Sequence, residues 1–163
     1  MMPLLRFCEW LNDTRWSTAL RESPWDYYII GAVHLLGIAW AGGSVVMGNL
    51  RLLGIAMRGA RVSQVLDQLR PWKCAGFGVV AMSGALLALS EPLDCYHSRS
   101  FWISMALLAL AGVNGAAFRF RIYRSVTGWD EGASAPAAAR LTACISLLLW
   151  VCLVFAGRGI AFF

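Results

Sequence analysis

The stretch YYIIGAVHLLGIAWAGGSVVM at residues 27–47 decides the fold, because it is long and apolar enough to cross a bilayer. A hydrocarbon core of about 30 Å takes ~20 helical residues. Similar stretches follow, and together they predict spans at about 26–57, 72–90, 100–122 and 140–162. Lipid leaves the backbone only helices or closed barrels, and these stretches lack the strict alternation of barrel strands. We therefore predict one all-α domain over residues 1–163, an integral membrane four-helix bundle.

The composition excludes several classes of protein. Hydrophobic residues make up 59% of the chain and charged residues 14%, against about 45–50% and ~25% in soluble domains. A soluble globule of this size cannot bury so much apolar surface. A disordered tail, a disulfide-stapled secreted module and a nucleic-acid binder are excluded together. No nucleic-acid partner is expected, since no basic run is interleaved with stacking aromatic residues.

The charges of the connecting segments predict the orientation. The segments between spans one and two and between spans three and four carry nine basic and three acidic residues, against five and six on the opposite side. The nine are Arg51, Arg58, Arg61, Arg70, Lys73, Arg119, Arg121, Arg124 and Arg140. Basic loops stay in the cytoplasm. Loops 58–73 and 119–140 are therefore predicted to be cytoplasmic, and both termini to lie outside.

Three segments outside the spans have predicted structures of their own. Residues 3–22 have an apolar and a polar side, which predicts an amphipathic helix in the outer interface, with Trp10, Trp16 and Trp25 at headgroup level. Residues 62–69 predict a second short amphipathic helix that ends before Pro71. Residues 127–139 are rich in Gly, Ala and Pro and predict a flexible loop.

His34 is the candidate functional residue, because it lies about two turns inside the first span. An ionisable side chain at such a depth is costly and marks a functional site by default. Gly37 and Ala41 continue from it as a stripe of small residues, along which a flat ring or another helix can approach the backbone. One interpretation makes His34 a ligand of haem b or copper, with Gly37 and Ala41 beside the cofactor. The other has His34 bonded to a neighbouring span, with the stripe serving helix packing.

A second ligand is harder to find. His97 lies in an outer loop, about 10 Å shallower than His34 by helix rise. Met82 in the second span lies near the depth of His34, and a thioether suits haem or Cu(I). Met82 is therefore the candidate partner of His34 in a metal site, although a methionine in a membrane helix is more often simple packing.

The remaining polar residues predict structural roles. Asn49, Arg51 and Asn114 gather toward the cytoplasmic end, where Asn114 can bond across helices and Arg51 can reach the headgroups. Cys8 and Cys95 both lie outside and are a possible disulfide in an oxidising compartment. No motif of a hydrolase or a transferase is present, so no catalytic residue is predicted.

Several stretches carry a resemblance to a known family. They are WLNDTRWSTALRESPW (10–25), HLLGIAWAGG (34–43), NLRLLG (49–54), RPW (70–72), FWISMALLALAGVNG (101–115), SLLLW (146–150) and AGRGIA (156–161). In order and spacing they resemble an uncharacterised bacterial family of four-span integral membrane proteins, a domain of unknown function. A weaker likeness is to copper-resistance membrane proteins of the D type and small b-type cytochromes.

The resemblance implies a bacterial inner-membrane location and little about activity. In such a membrane the outer side, where the charges place both termini, is the periplasm. The chain departs from the family pattern at Gly31, Asn49 and Ser104, where an acidic residue, an Asp and a Lys are usual. The leading functional prediction is redox or metal handling at His34, with a quinone or a periplasmic redox partner. The alternatives are a cofactor-free accessory or scaffold subunit of a larger complex or homo-oligomer, and a small-solute transporter or channel.

Overall fold

The computed structural model describes residues 2–23, 25–130 and 135–159. Its helices are α1 (Met2–Asn12), α2 (Arg15–Glu22), α3 (Asp26–Leu52), α4 (Val62–Ser90), α5 (Pro92–His97), α6 (Arg99–Ala117) and α7 (Ala137–Gly159). A π-helical segment (Phe118–Ile122) and a 3-10 helix (Tyr123–Gly128) continue α6. Four helices are long and apolar enough to cross a membrane, Asp26–Leu52, Val62–Ser90, Arg99–Gly128 and Ala137–Gly159. The predicted all-α four-helix fold is confirmed.

The spanning helices pack in the order α4, α3, α7, α6. The helix α3 lies between α4 and α7, and α7 packs against α6. The contact surface of α3 consists largely of small residues, and these let helix backbones approach closely where lipid supplies no hydrophobic driving force. Within the described ranges, no comparable packing joins α4 to α6. Because α4 and α6 are the first and last helices in this order, a gap lies between them.

The short helices α1, α2 and α5 cover one end of the bundle, which we call the terminal end. The helix α1 packs on α5, and α2 packs on α3 and α4. The predicted single helix over 3–22 is wrong, because the chain breaks at Thr14. The hydroxyl of Thr14 accepts the backbone N–H of Ser17 at 3.4 Å and caps a new helix there. Trp10 and Trp16 are exposed, as an interfacial layer requires.

At the opposite end, which we call the basic end, α3 stops earlier than predicted. The first span was expected to continue to about residue 57, whereas the helix ends at Leu52. Gly54 has a φ of 71°, and its N–H donates to the carbonyl of Arg51 while that of Ile55 donates to Leu50. These two bonds and the left-handed glycine form a Schellman motif, which satisfies the last carbonyls of the helix.

The predicted boundary between a short helix over 62–69 and the second span is also wrong. Residues 62–69 and the span predicted from about 72 form one helix, Val62–Ser90, with Pro71 inside it. Proline removes one backbone hydrogen bond, to the carbonyl of Asp67, but membrane helices tolerate this when another group or water satisfies the carbonyl. Asp67 is exposed, so water reaches it.

The two basic segments are mostly helical and not loops. Residues 62–73 belong to α4, and residues 119–128 belong to the π and 3-10 helices. The predicted flexible loop over 127–139 is anchored near its start by Asp130, whose carboxylate accepts the backbone N–H of Ser63 at 2.7 Å and its hydroxyl at 2.6 Å. These two bonds lower the pKa of Asp130. Residues 131–134 of this loop lie outside the described residues. The last span begins at Ala137 instead of 140, and residues 160–162 lie outside the described residues.

Candidate functional site

His34 is half-buried between α3 and α4 and bonded to a serine of α4. Its Nδ1 lies 2.9 Å from the Oγ of Ser83, and that hydroxyl also lies 2.6 Å from the carbonyl oxygen of Val79. A hydroxyl has one proton, and the short contact to the carbonyl uses it. Nδ1 of His34 is therefore the donor to Ser83, and Nε2 carries the lone pair of the ring.

The stripe of small residues below His34 is filled by α4. A Cβ added at Gly37 would lie 3.0 Å from Val79 and 3.1 Å from Val80. A Cβ added at Gly76 would lie 2.9 Å from the backbone nitrogen of Ala41. The space beside Gly37 and Ala41 therefore contains the neighbouring helix, and a haem ring does not fit there.

Met82, the proposed second ligand, is not brought to the imidazole. Met82 directly precedes Ser83 along α4, so its side chain points about 100° away from that of Ser83 around the helix. Its side chain is 72% exposed, whereas Ser83 is 4% exposed. His97 is exposed at the terminal end, with its Nδ1 2.8 Å from the carbonyl of Leu93. Among the described residues, no group of three His, Cys, Asp or Glu side chains is placed to hold a metal ion.

Arg51 does not reach the headgroups, contrary to the prediction. It is 1% exposed, and its Nε and one terminal nitrogen donate to the carbonyl of Ala60 at 2.9 and 2.7 Å. The guanidinium therefore closes the turn between α3 and α4. The other terminal nitrogen is buried and has no hydrogen-bond partner among the described residues.

Asn49 and Asn114 connect their helices to α7. The amide of Asn49 donates to the hydroxyl of Ser146 at 2.9 Å, and that of Asn114 donates to the carbonyl of Thr142 at 3.0 Å. Both bonds lie in the half of the bundle near the basic end. Amide groups in this position hold the helices in register and leave polar atoms facing the space between them.

Cys8 and Cys95 are free thiols at the terminal end. They lie on α1 and α5, which pack together, and the two thiols interact electrostatically. Burial, followed by the charges of Glu91 and Asp94 and by Cys8, raises the pKa of Cys95. The predicted disulfide stays a prediction.

A cleft of 630 Å³ lies in the half of the bundle near the basic end, and no sequence pattern predicted it. All four spanning helices line it, and it occupies the gap between α4 and α6. Its apolar walls include Phe77, Leu108 and Trp150, and the rings of Phe77 and Trp150 meet edge to face at 6.0 Å. Asn49, Asn114, Thr142 and Ser146, which hold the helices together there, also line it.

Charged side chains line the cleft as well. Arg70, Lys73 and Arg119 are basic, and Asp67 is acidic. The guanidinium of Arg119 lies 4.4 Å from the ring centre of Tyr123, a cation–π contact. The carboxylate of Asp67 lies close to the hydroxyl of Tyr123. The cleft therefore combines apolar walls, amide and hydroxyl groups, and an excess of positive charge.

The fold defines the class of protein: it is an all-α, multi-pass membrane protein with four spanning helices. Residues 25–163 match the family described as "Family of unknown function (DUF6644)", and the chain belongs to that family. This confirms the resemblance to an uncharacterised family, whereas the bacterial origin and the likeness to copper-resistance proteins and cytochromes stay predictions. No curated protein and no solved structure matches the chain.

Proposed function

We propose that the protein is a binding protein of the bilayer, which takes one amphiphilic molecule from the surrounding lipid into the cleft. The observation that carries the proposal is the cleft itself, 630 Å³ of space between helices that otherwise pack closely. Protein interiors are normally filled to the density of organic crystals. Sites for small molecules occupy about 300–1,000 Å³, so this volume suits a guest.

The lining of the cleft indicates what kind of guest it takes. Gly112 and Ala111 of α6 and Phe77 of α4 offer apolar surface, while Asn49 and Ser146 offer hydrogen-bonding groups. A wholly apolar molecule leaves these amide and hydroxyl groups unused, and a wholly polar one meets the apolar walls. A molecule with one polar and one apolar part satisfies both, and lipid supplies such molecules directly through the gap between α4 and α6.

The orientation is part of the proposal. The basic end carries the excess of positive charge, and the positive-inside rule places that end in the cytoplasm. The cleft then opens toward the cytoplasmic leaflet of a bacterial inner membrane, and both termini are periplasmic. The layer of α1, α2 and α5 lies on the periplasmic side.

The test is a substitution that introduces a large side chain from α6 into the cleft. Gly112 lines the cleft and an added Cβ there meets nothing within 4 Å, so Gly112→Phe directs its ring into the space of the cleft. Gly78→Phe is the matched control, because a Cβ at Gly78 also meets open space and Gly78 does not line the cleft. The probe is a monoacylglycerol with a photoreactive diazirine in its acyl chain, in phosphatidylcholine vesicles. Labelled residues are mapped by mass spectrometry.

We expect the probe to label cleft residues on α4, α6 and α7. Gly112→Phe should lower this labelling several-fold, and Gly78→Phe should leave it at the level of the unaltered protein. Labelling spread evenly over the lipid-facing residues, or cleft labelling that Gly112→Phe does not lower, contradicts the proposal.

A second candidate keeps His34 as a metal ligand. The bond to Ser83 holds the Nδ1 proton, so Nε2 carries the lone pair that a copper ion binds. The filled stripe argues against haem b, and Met82 faces away. Copper handling with electron transfer to a quinone or a periplasmic partner is tested by metal analysis and an absorbance spectrum of the purified protein. Bound copper lost in His34→Ala supports this candidate, and a metal-free, colourless preparation overturns it.

The accessory or scaffold role and the transporter role are also proposals. Gly37 and Ala41, the stripe of small residues along which another helix can approach, are used inside the molecule against α4. A partner of a larger complex or a second copy therefore needs another surface. Transport is closer to the present proposal, because a cleft open to lipid is the first requirement for moving an amphiphile.

A further inference from the structure

We infer that the cleft selects an amphiphile whose polar part is a phosphate group, held by Arg70, Lys73 and Arg119. This inference rests on the proposed function, since it names the class of molecule that the same cleft takes. Of the charged residues that line the cleft, three are basic and Asp67 is acidic. A net positive lining favours an anion over a neutral or zwitterionic head.

The three basic groups converge from two separate parts of the fold. Arg70 and Lys73 lie on α4, and Arg119 follows α6. Although α4 and α6 do not pack along their lengths, Lys73 interacts electrostatically with both Arg70 and Arg119. Like charges held near one another at a half-buried position repel, because the low dielectric strengthens the interaction. An anion between the two helices turns this repulsion into attraction.

Asp67 offsets the positive charge only in part. It interacts with Lys73, and it also lies close to the hydroxyl of Tyr123, whose ring lies against the guanidinium of Arg119. One carboxylate shared among these groups leaves an excess of positive charge in the lining. The same contacts hold the side chain of Arg119 in place beside the cleft, which lowers the entropy lost when it binds an anion.

The depth of the basic groups matches the phosphate level of a leaflet. The helix α4 has 29 residues, which is about 44 Å of helix against about 30 Å of hydrocarbon. The first turns of α4 are amphipathic and carry its charged and amide side chains, so the excess of about nine residues lies at the basic end. Arg70 and Lys73 then stand at the hydrocarbon boundary, with the apolar walls of the cleft extending below them.

The chemistry of the donors favours phosphate over carboxylate. Arginine presents a planar fork of N–H groups that pairs with two phosphate oxygens at once, and lysine adds a compact charge. A phosphate has enough oxygens to accept from both guanidinium groups and from Lys73. A carboxylate, with two oxygens, satisfies fewer of these donors.

The experiment compares two probes that differ only in the head. One is the diazirine monoacylglycerol used above, and the other is its 3-phosphate, a lysophosphatidic acid with the same acyl chain. Both are added to the protein in phosphatidylcholine vesicles. Inorganic phosphate is added as a competitor in a separate arm. The variant Lys73→Gln with Arg119→Gln removes charge from the cleft, and Arg121→Gln with Arg124→Gln removes equal charge from exposed positions that do not line it.

We expect the phosphate probe to label the cleft about tenfold more than the neutral probe at equal concentration, since charge-assisted bonds add to the same apolar contact. The Lys73 and Arg119 variant should remove the preference and keep the labelling by the neutral probe. The Arg121 and Arg124 variant should keep the preference. Gly112→Phe should lower the labelling by both probes.

Each contrary outcome has its own meaning. Equal labelling by the two probes overturns the phosphate inference and leaves the proposed function standing, whereas no cleft labelling by either overturns both. A preference that disappears equally in the Arg121 and Arg124 variant reveals only a general attraction of anions to the basic end, and it overturns the inference. Displacement of the phosphate probe by millimolar inorganic phosphate shows that free phosphate is the ligand, and it overturns the amphiphile as its source.

Discussion

The contact between α3 and α4 at Gly76 allows a sharp test of the helix packing. An added Cβ at Gly76 would lie 2.9 Å from the nitrogen, 3.0 Å from the Cα and 3.1 Å from the Cβ of Ala41. Optimal separation between carbon atoms is about 3.5–4.0 Å. Two of the three atoms belong to the backbone, which cannot rotate away. Gly76→Ala must therefore push the two helices apart.

The expected magnitude follows from two opposing effects. Overpacking a close-packed contact costs about 1–3 kcal/mol, while replacing glycine by alanine inside a helix stabilises it by about 1 kcal/mol. Gly78→Ala measures the second effect alone, because a Cβ at Gly78 meets nothing within 4 Å. The free energy of unfolding of Gly76→Ala should thus be about 1–3 kcal/mol lower than that of Gly78→Ala.

The measurement is reversible unfolding by sodium dodecyl sulfate in mixed micelles, followed by the fluorescence of the eight tryptophans. A second readout is the imidazole of His34, which lies two turns along the same face as Ala41 and bonds to Ser83. Its ring 15N shifts should move in Gly76→Ala and stay in Gly78→Ala. If the two variants unfold within about 0.5 kcal/mol of each other, the close approach of the helices is refuted.

Three further predictions concern single side chains, and a fourth concerns the orientation of the chain. Ser83→Ala removes the acceptor of the imidazole and should lower the free energy of unfolding by about 0.5–1.5 kcal/mol, with ring 15N shifts that report a changed tautomer; unchanged shifts would contradict the bond. The lowered pKa of Asp130 means that its carboxylate stabilises the fold above its unfolded pKa, and that this contribution is lost as the pH falls through the folded pKa. Asp130→Asn should therefore flatten the fall in stability below about pH 4, and an equally steep fall would refute this. Because burial raises the pKa of Cys95, its alkylation rate should keep increasing with pH beyond the range of an ordinary thiol, whereas an early plateau would argue against burial. A reporter enzyme that works only outside the cytoplasm, fused after Phe163, should show activity. A reporter that works only in the cytoplasm and is active at the same position would reverse the orientation.

Local properties of the sequence account for what was predicted correctly. Hydropathy over about 20 residues is a property of each segment alone, so four membrane helices follow without knowledge of their neighbours. The sequence also contained the signal for the true end of α3, because a glycine such as Gly54 usually follows the last turn of a helix. Pro71 misled the prediction because its effect depends on whether the freed carbonyl finds water, which the sequence does not state.

For the candidate site too, the sequence predicted one part and the tertiary structure decided another. The sequence singled out His34 from its depth in an apolar helix, and it left open whether the ring bonds to a helix or holds a cofactor. The bond to Ser83 and the filling of the stripe by α4 decide the packing part of that question, because both involve a residue far away in the chain. Copper binding at Nε2 stays open to experiment.

The sequence by itself determined that the chain forms apolar helices, since the bilayer admits few other backbone conformations. It also determined which end of the bundle is basic, since charge is a property of composition. Only the tertiary structure decided that α4 and α6 stand at the two ends of the row, leaving a cleft with Lys73 near Arg119. The order in which helices pack depends on the fit of whole faces, and no single segment contains that information.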